Sequence, residues 1–143
     1  MTDRDFMLLA IEEAKKSEDF VGCGVVIVKD GEIISKNFNV QRKTCNATAH
    51  AEIRAIGEAG GKLGNKNLEG CTIYCTCEPC SMCVSAIIFA KIPKLYYGTS
   101  MKETFPDNMP IELTTAELLA TSNRKLEVIG GLLKEECSVL LKK

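Results

Sequence analysis

The N-terminal part of the chain has a helical pattern followed by a strand pattern. Apolar residues recur at spacings of three and four positions, at Phe6, Leu9, Ala10 and Ala14. This spacing predicts an amphipathic helix over residues 3–17. Two apolar runs follow at residues 22–28 and 32–36, separated by the Lys-Asp-Gly sequence of residues 29–31. Aspartate and glycine favour a tight turn, so the runs predict a β-hairpin.

A second helical pattern follows the hairpin. The apolar positions 51, 53, 55 and 56 lie on one helical face. We predict that Thr48 caps this helix and that Gly60 and Gly61 end it, because threonine favours N-caps and glycine favours helix ends. The first turn of this helix then carries His50 and Glu52.

In residues 71–77 every second position is a cysteine or an isoleucine, and this period of two predicts a strand. One face of it carries Cys71, Ile73, Cys75 and Cys77. Pro79 ends the strand, and residues 80–90 predict a helix, since proline is tolerated where a helix begins. Cys80 and Cys83 therefore share a helical turn.

The C-terminal third predicts a strand at residues 94–97, a long loop at 98–110, a strand at 126–129 and a helix at 132–141. Thr114 and Glu117 have the spacing of a helix capping box. Strands that alternate with helices predict a layered α/β domain, with helices on both faces of a mixed sheet.

Composition fits one globular domain over residues 1–143, because 45% of the residues are hydrophobic and no low-complexity tract interrupts them. The N-terminus lacks the pattern of a signal peptide, and no stretch approaches the ~20 apolar residues of a membrane span. We therefore expect a cytoplasmic protein with no membrane partner. In that compartment the eight cysteines are expected to be reduced.

The formal net charge is −1. The chain therefore has no general basic field that attracts phosphates, which favours a small-molecule substrate over a nucleic acid.

His50, the only histidine of the chain, forms a candidate metal site with Cys80 and Cys83. Catalytic zinc keeps three protein ligands and one open position, and mixed nitrogen and thiolate ligands suit this metal. Cys80 and Cys83 can bring both sulfurs to one ion at a helix N-terminus, where positive partial charge favours thiolates. Glu52, two positions after His50, is a candidate acid–base residue.

Each of these residues also has a simpler interpretation. His50 alone could be a core histidine, and Glu52 a solvated helix residue. A closed structural zinc site could instead use four of five clustered cysteines: Cys71, Cys75, Cys77, Cys80 and Cys83. That arrangement would leave His50 and Glu52 without a purpose. We interpret the remaining cysteines as ordinary buried or surface thiols: Cys23, Cys45 and Cys137.

The joint pattern His50-Ala51-Glu52 and Pro79-Cys80-Ser81-Met82-Cys83 resembles the signature of the cytidine deaminase-like zinc hydrolases. The resemblance covers nearly the whole chain and implies a three-layer α/β/α sandwich with a mixed five-stranded sheet. It implies one Zn²⁺ per subunit, bound by His50, Cys80 and Cys83. Glu52 would move protons between the attacking water, the ring nitrogen and the departing amine.

Within that superfamily the chain looks most like the branch of guanine deaminases, fungal-type cytosine deaminases and tRNA adenosine deaminases. By this likeness Asn39 would present its amide to the base edge, and the backbone N–H of Ala51 would bind a substrate carbonyl. The stretch from Thr104 to Asn108 is similar to a loop of guanine deaminases, which makes Asp107 the matching carboxylate for guanine.

These similarities lead us to predict zinc-dependent hydrolytic deamination of a free nucleobase, with guanine first and cytosine or isocytosine next. A tRNA adenosine deaminase is the alternative. It ranks second because the chain lacks the Lys-Thr-Gly-Ala-like stretch and the basic C-terminal extension of that class. A non-catalytic partner subunit is a third alternative, which the presence of Glu52 disfavours. Relatives of this kind are usually oligomers, so a homodimer or a higher homo-oligomer is expected.

Overall fold

The computed structural model describes residues 1–107 and 109–141. Asn108 and the two C-terminal lysines lie outside the described residues. Seven α-helices occur in this part of the chain: α1 Asp3–Ala14, α2 Gln41–Thr44, α3 Ala51–Leu63, α4 Ser81–Phe89, α5 Met101–Thr104, α6 Thr115–Leu119 and α7 Lys134–Ser138. A 3₁₀ turn, Val139–Leu141, follows α7. The strands are β1 Gly24–Lys29, β2 Glu32–Phe38, β3 Cys71–Cys77, β4 Lys94–Thr99 and β5 Glu127–Ile129.

The five strands form one mixed sheet in the order β2-β1-β3-β4-β5. β1 pairs antiparallel with β2 and β3, whereas β3–β4 and β4–β5 are parallel. The hairpin turn at Asp30 and Gly31 has positive φ at both residues, 52° and 76°, as the predicted tight turn requires. The predicted α/β/α sandwich is confirmed.

A hydrophobic cluster covers each face of the sheet. The face that α3 and α4 cover includes Ile27, Ile73 and Leu95, each 0% exposed. The face that α1 and α7 cover includes Tyr74 and Val26. Alternate residues of β3 therefore enter opposite clusters, which explains the period of two in its sequence.

Several predicted boundaries differ from the structure. The α1 helix ends at Ala14 rather than at residue 17, and the predicted loop 98–110 contains the short helix α5. The terminal helix begins at Lys134, after Leu133 in a left-handed conformation (φ 53°). In the part of the chain that the structure describes, no helix is long and apolar enough to cross a membrane.

Both ends of α3 differ from the prediction. Its N-cap is His50 and not Thr48, because the N–H and hydroxyl of Thr48 both donate to Asn46 Oδ1 in a local turn. Gly60 and Gly61 lie inside the helix, which ends at Gly64 with φ 64°. His50 is thus the residue immediately before α3.

Candidate active site

The starts of two helices meet beside the carboxyl end of β3, the usual location of sites in α/β sheets. His50 is the N-cap of α3, with extended backbone angles of −72° and 155°. Cys80 is the N-cap of α4, also extended at −70° and 171°. Neither side chain caps its own helix. Both are therefore free to face each other across the gap between the helices.

The three predicted ligands form a compact group. The Nδ1 atom of His50 lies 3.7 Å from Cys80 Sγ and 3.6 Å from Cys83 Sγ, and all three atoms are within 4.8 Å of one another. Tetrahedral zinc with Zn–S of about 2.3 Å and Zn–N of about 2.1 Å requires N···S separations of roughly 3.6 Å. The donor set and its spacing therefore fit zinc.

The hydrogen bond between Cys80 and Cys83 shifts the pKa values of the two thiols in opposite directions. Hydrogen bonding from Cys83 and then from His50 lowers the pKa of Cys80 to about 4. The hydrogen bond to Cys80, together with burial, raises the pKa of Cys83. The lowered pKa favours the thiolate form of Cys80, which is the form that binds a metal ion.

The His50 ring is oriented by its surroundings. Its hydrogen bond to Cys80 raises the pKa of His50, with burial acting in the opposite direction and a bond to the Ala47 backbone adding to the rise. A backbone acceptor on the ring of a metal-binding histidine fixes its orientation.

Glu52 lies on the first turn of α3 and is only 5% exposed. Burial raises the pKa of its carboxyl group, and a hydrogen bond with Cys83 opposes this rise. A carboxyl group with a raised pKa can both accept and donate a proton near neutral pH.

A cavity of about 360 Å³ is lined by His50, Glu52 and Cys80. It is within the size range of small-molecule sites, roughly 300–1,000 Å³. Its lining includes the following residues: Val21, Cys23, Asn39, Gln41, Ala47, His50, Ala51, Glu52, Cys77, Glu78, Cys80, Ser81, Met82, Met101, Phe105, Met109, Pro110 and Ile111. A groove of about 990 Å³ beside the end of α4 is larger. It contains none of the zinc-ligand group, so chemistry rather than size identifies the site.

Two of the predicted substrate contacts line this cavity. The backbone N–H of Ala51 is in the first turn of α3 and has no acceptor among the described residues. Asn39 is 4% exposed, and its amide holds neighbouring segments together. Its Oδ1 accepts from the Cys23 N–H at 2.8 Å, and its Nδ2 donates to the Val21 carbonyl at 2.8 Å and to Asp19 at 3.2 Å. The second lone pair of Oδ1 is the acceptor that remains for a substrate.

The third predicted contact, Asp107, is exposed on the loop after α5 and is not among the cavity-lining residues. Its neighbours Phe105, Met109 and Ile111 do line the cavity. A contact between Asp107 and substrate stays a prediction.

Cys23, Cys77 and Glu78 line the cavity, although the sequence analysis gave them no role in catalysis or substrate binding. Cys23 and Cys77 meet in the cavity with their sulfurs 3.2 Å apart. Glu78 accepts hydrogen bonds from Met101 and Thr115. Glu78 directly precedes the Pro-Cys-Ser-Met-Cys motif of residues 79–83, and this position was a signal that its side chain lies near the site. The contact between Cys23 and Cys77 follows only from strand register.

Residues 1–99 match the family model for the cytidine and deoxycytidylate deaminase zinc-binding region. The chain is 37% identical over 141 residues to a tRNA-specific adenosine deaminase of Bacillus subtilis (strain 168), covering 97% of this chain and 86% of that protein.

Solved structures give the same picture. A structure from a study of A-to-I editing by tRNA:A34 deaminases superposes with a TM-score of 0.81 and 34% identity, over 95% of this chain and 98% of the other. A guanine deaminase from Bacillus subtilis superposes with a TM-score of 0.66 and 37% identity, over 70% of this chain and 66% of the other.

Proposed function

This chain belongs to the cytidine and deoxycytidylate deaminase zinc-binding family and is a zinc-dependent aminohydrolase, and from this premise we propose that it deaminates an adenosine in tRNA. The observation that carries the proposal is the 37% identity with a tRNA-specific adenosine deaminase along 97% of the chain. The guanine preference expected from Asp107 has weaker support. The match to the Bacillus subtilis guanine deaminase covers 70% of this chain, and Asp107 lies outside the cavity lining.

In the proposed mechanism His50, Cys80 and Cys83 hold the zinc ion. When bound, zinc would supply a Lewis acid that makes a water molecule more acidic. Glu52 takes a proton from the attacking water and delivers it to the ring nitrogen next to the amino-bearing carbon. The same carboxylate then takes the remaining proton of the added hydroxyl group and passes it to the departing amine, so that the C–N bond breaks, the carbonyl forms and ammonia leaves.

Substrate binding uses groups that the helix starts present to the cavity. The unpaired N–H of Ala51 and the remaining lone pair of Asn39 Oδ1 can bind the edge of the base. The apolar side chains of Phe105, Met109 and Ile111 line the same cavity and can cover the base face. Excluding bulk water in this way strengthens the polar contacts.

Recognition of tRNA would need local rather than general positive charge, because the net charge of the chain is −1. Arg42 and Lys43 are both exposed on α2, directly after the cavity-lining Gln41. Lys102 is exposed next to Met101, which also lines the cavity. These cations can contact phosphates around a base that has entered the cavity.

The test compares a tRNA with adenosine at position 34 with the same tRNA carrying guanosine there, using zinc-loaded protein. We expect inosine and ammonia from the first tRNA only, and no product from either with Glu52→Gln. Rates should fall steeply with added salt if Arg42 and Lys43 contact phosphates. Release of ammonia from free guanine and none from the tRNA would overturn the proposal and support deamination of free guanine.

A further inference from the structure

Two cysteines outside the zinc-ligand group meet in the active-site cavity. The Sγ atoms of Cys23 and Cys77 are 3.2 Å apart, and both residues line the cavity. Cys23 is half-buried, while Cys77 is 6% exposed. The two thiols are therefore close to each other and reachable from the cavity that admits substrate.

The backbone beneath these thiols suits a disulfide bond. In the β1–β3 pairing Val25 is opposite Cys75 and Lys29 is opposite Cys71. Cys23 directly precedes β1, and this register continued by two residues would place it opposite Cys77. Directly opposed residues of antiparallel strands have Cα atoms about 4.5 or 5.5 Å apart, within the roughly 4.4–6.8 Å range of disulfides. The sulfurs need to approach by roughly 1 Å to reach a bonding distance of about 2.05 Å.

The surroundings of the two thiols shift their pKa values in opposite directions. The hydrogen bond from Cys23, opposed by burial and helped by Thr99 and Thr76, lowers the pKa of Cys77. The same hydrogen bond raises the pKa of Cys23. Cys77 is thus the better attacking sulfur and Cys23 the resolving one.

We propose that Cys23 and Cys77 form a reversible modification site, at which a low-molecular-weight disulfide oxidises the two thiols to one intramolecular disulfide. This bond lowers the deamination rate by changing the active-site cavity. Formation of this disulfide does not depend on which base the chain deaminates, and it can be detected without any substrate.

The reaction is a thiol–disulfide exchange in two steps. The Cys77 thiolate attacks one sulfur of the small disulfide, whose S–S bond breaks, and the first small thiolate leaves with the electron pair. Cys23 then loses its proton and attacks the Cys77 sulfur of the mixed disulfide, which expels the second small thiolate. The two cysteine protons go to the two small thiolates, so two protein thiols are oxidised and one small disulfide is reduced.

The new bond would act on the site through Asn39. The Cys23 N–H donates to Asn39 Oδ1 at 2.8 Å, and the Cys23 carbonyl accepts from the Asn39 N–H at 3.3 Å. Drawing Cys23 toward β3 therefore displaces the Asn39 amide in the cavity. Because a misplacement of about 1 Å can reduce a rate by roughly 100-fold, we expect the oxidised protein to lose at least about tenfold in rate.

The experiment treats the zinc-loaded chain with oxidised glutathione and then follows intact mass, non-reduced peptide maps, zinc content and deamination rate. The expected product has lost two hydrogen atoms, joins the Cys23 and Cys77 peptides and retains zinc. Its lower rate returns on treatment with dithiothreitol. The variants Cys23→Ser and Cys77→Ser should each resist this inhibition relative to their own untreated rates. The variant Cys45→Ser, which removes an exposed thiol outside the cavity lining, should respond as the wild type does.

Oxidation confined to Cys80 and Cys83 with release of zinc would overturn the proposal. Inhibition of Cys23→Ser equal to that of wild type would do so as well, as would an unchanged rate in fully oxidised protein. If a serine variant fails to fold, the peptide map and zinc content of the oxidised wild type still decide whether the bond forms.

Discussion

The Glu78 carboxylate binds the backbone N–H of Thr115 at 2.9 Å, across 37 positions of sequence. Its other oxygen accepts the N–H of Met101 at 3.0 Å. Met101 and Thr115 are the first residues of α5 and α6, so one carboxylate satisfies and stabilises two helix N-termini. The segment between these helices supplies Phe105 and Ile111 to the cavity. Glu78 thus connects the zinc-site loop to the segment that covers the substrate.

We expect Glu78→Ala to weaken substrate binding more than the chemical step. Both helix starts lose their anchor, so the covering segment becomes less ordered and KM should rise about tenfold, with a smaller change in kcat. Loss of hydrogen bonds to a partly buried carboxylate should reduce the free energy of unfolding by about 1–3 kcal/mol. Steady-state kinetics and urea denaturation measure these changes. The control Glu112→Ala removes an exposed carboxylate of the same segment and should change neither. A fall in kcat with unchanged KM would contradict this positioning role.

Glu52→Gln should reduce kcat by about 10²–10⁴-fold while zinc remains bound. Glutamine retains the shape of the side chain but cannot take or give a proton, and general acid–base catalysis contributes about 10²–10⁴-fold. Rapid-quench or steady-state rates and zinc content by atomic emission test this expectation. Glu58→Gln, on the same helix but bonded to Asn37 at 2.9 Å, is the matched control and should retain activity. Substantial turnover by Glu52→Gln would show that another group moves the proton.

Removal of zinc should destabilise the protein as well as inactivate it. Ligand binding to the folded state adds about 3 kcal/mol when free zinc is about 100 times its Kd, which is roughly 10 °C in Tm for a chain of this size. Calorimetry with and without a chelator measures the shift. Cys80→Ser and His50→Gln should lose most of it together with bound zinc, whereas Cys45→Ser should behave as the wild type does. One equivalent of tightly bound zinc in Cys80→Ser would refute this ligand set.

Local sequence patterns were sufficient to predict the strand β3 and the zinc ligands. The strand Cys71–Cys77 was predicted with its observed bounds, because its alternation places residues in two clusters and Pro79 follows. The zinc ligands were predicted from the motif, since Cys80 and Cys83 share a turn and His50 is the single histidine. Thr48 misled the prediction of α3 because its hydroxyl bonds to Asn46 rather than to the helix.

Tertiary contacts account for what the sequence could not show. The amide of Asn39 bonds to Val21 and Asp19, about twenty positions away, and no local pattern reports such partners. The role of Glu78 depends in the same way on α5 and α6, which come together only in the folded chain. Gly60 and Gly61 are helical because α3 continues over the sheet to Gly64, which outweighs their low propensity.

Asp3 links α1 to the two stacked tyrosines of the sheet. Its Oδ1 accepts from the Tyr74 hydroxyl and its Oδ2 from the Tyr96 hydroxyl at 2.9 Å. The two rings are stacked with centroids 5.0 Å apart. Burial, followed by the hydrogen bond to Asp3, raises the pKa of Tyr74 above its usual 10.0. This contact is on the face of the sheet opposite α3 and α4, so it tests the fold separately from the active site.

We expect this contact to stabilise the fold at neutral pH and to lose its effect in alkali. Because the pKa of Tyr74 is higher in the folded than in the unfolded chain, its contribution is complete below pH 10.0 and declines as pH rises toward the folded value. Tyr74→Phe removes the hydrogen bond and should reduce the free energy of unfolding by about 1–2 kcal/mol at pH 7. The phenylalanine cannot ionise, so the difference between the proteins should narrow above about pH 10. Urea denaturation at a series of pH values measures that difference. A difference that stays constant through the alkaline range would show that Tyr74 ionises no less readily in the folded chain than in the unfolded one.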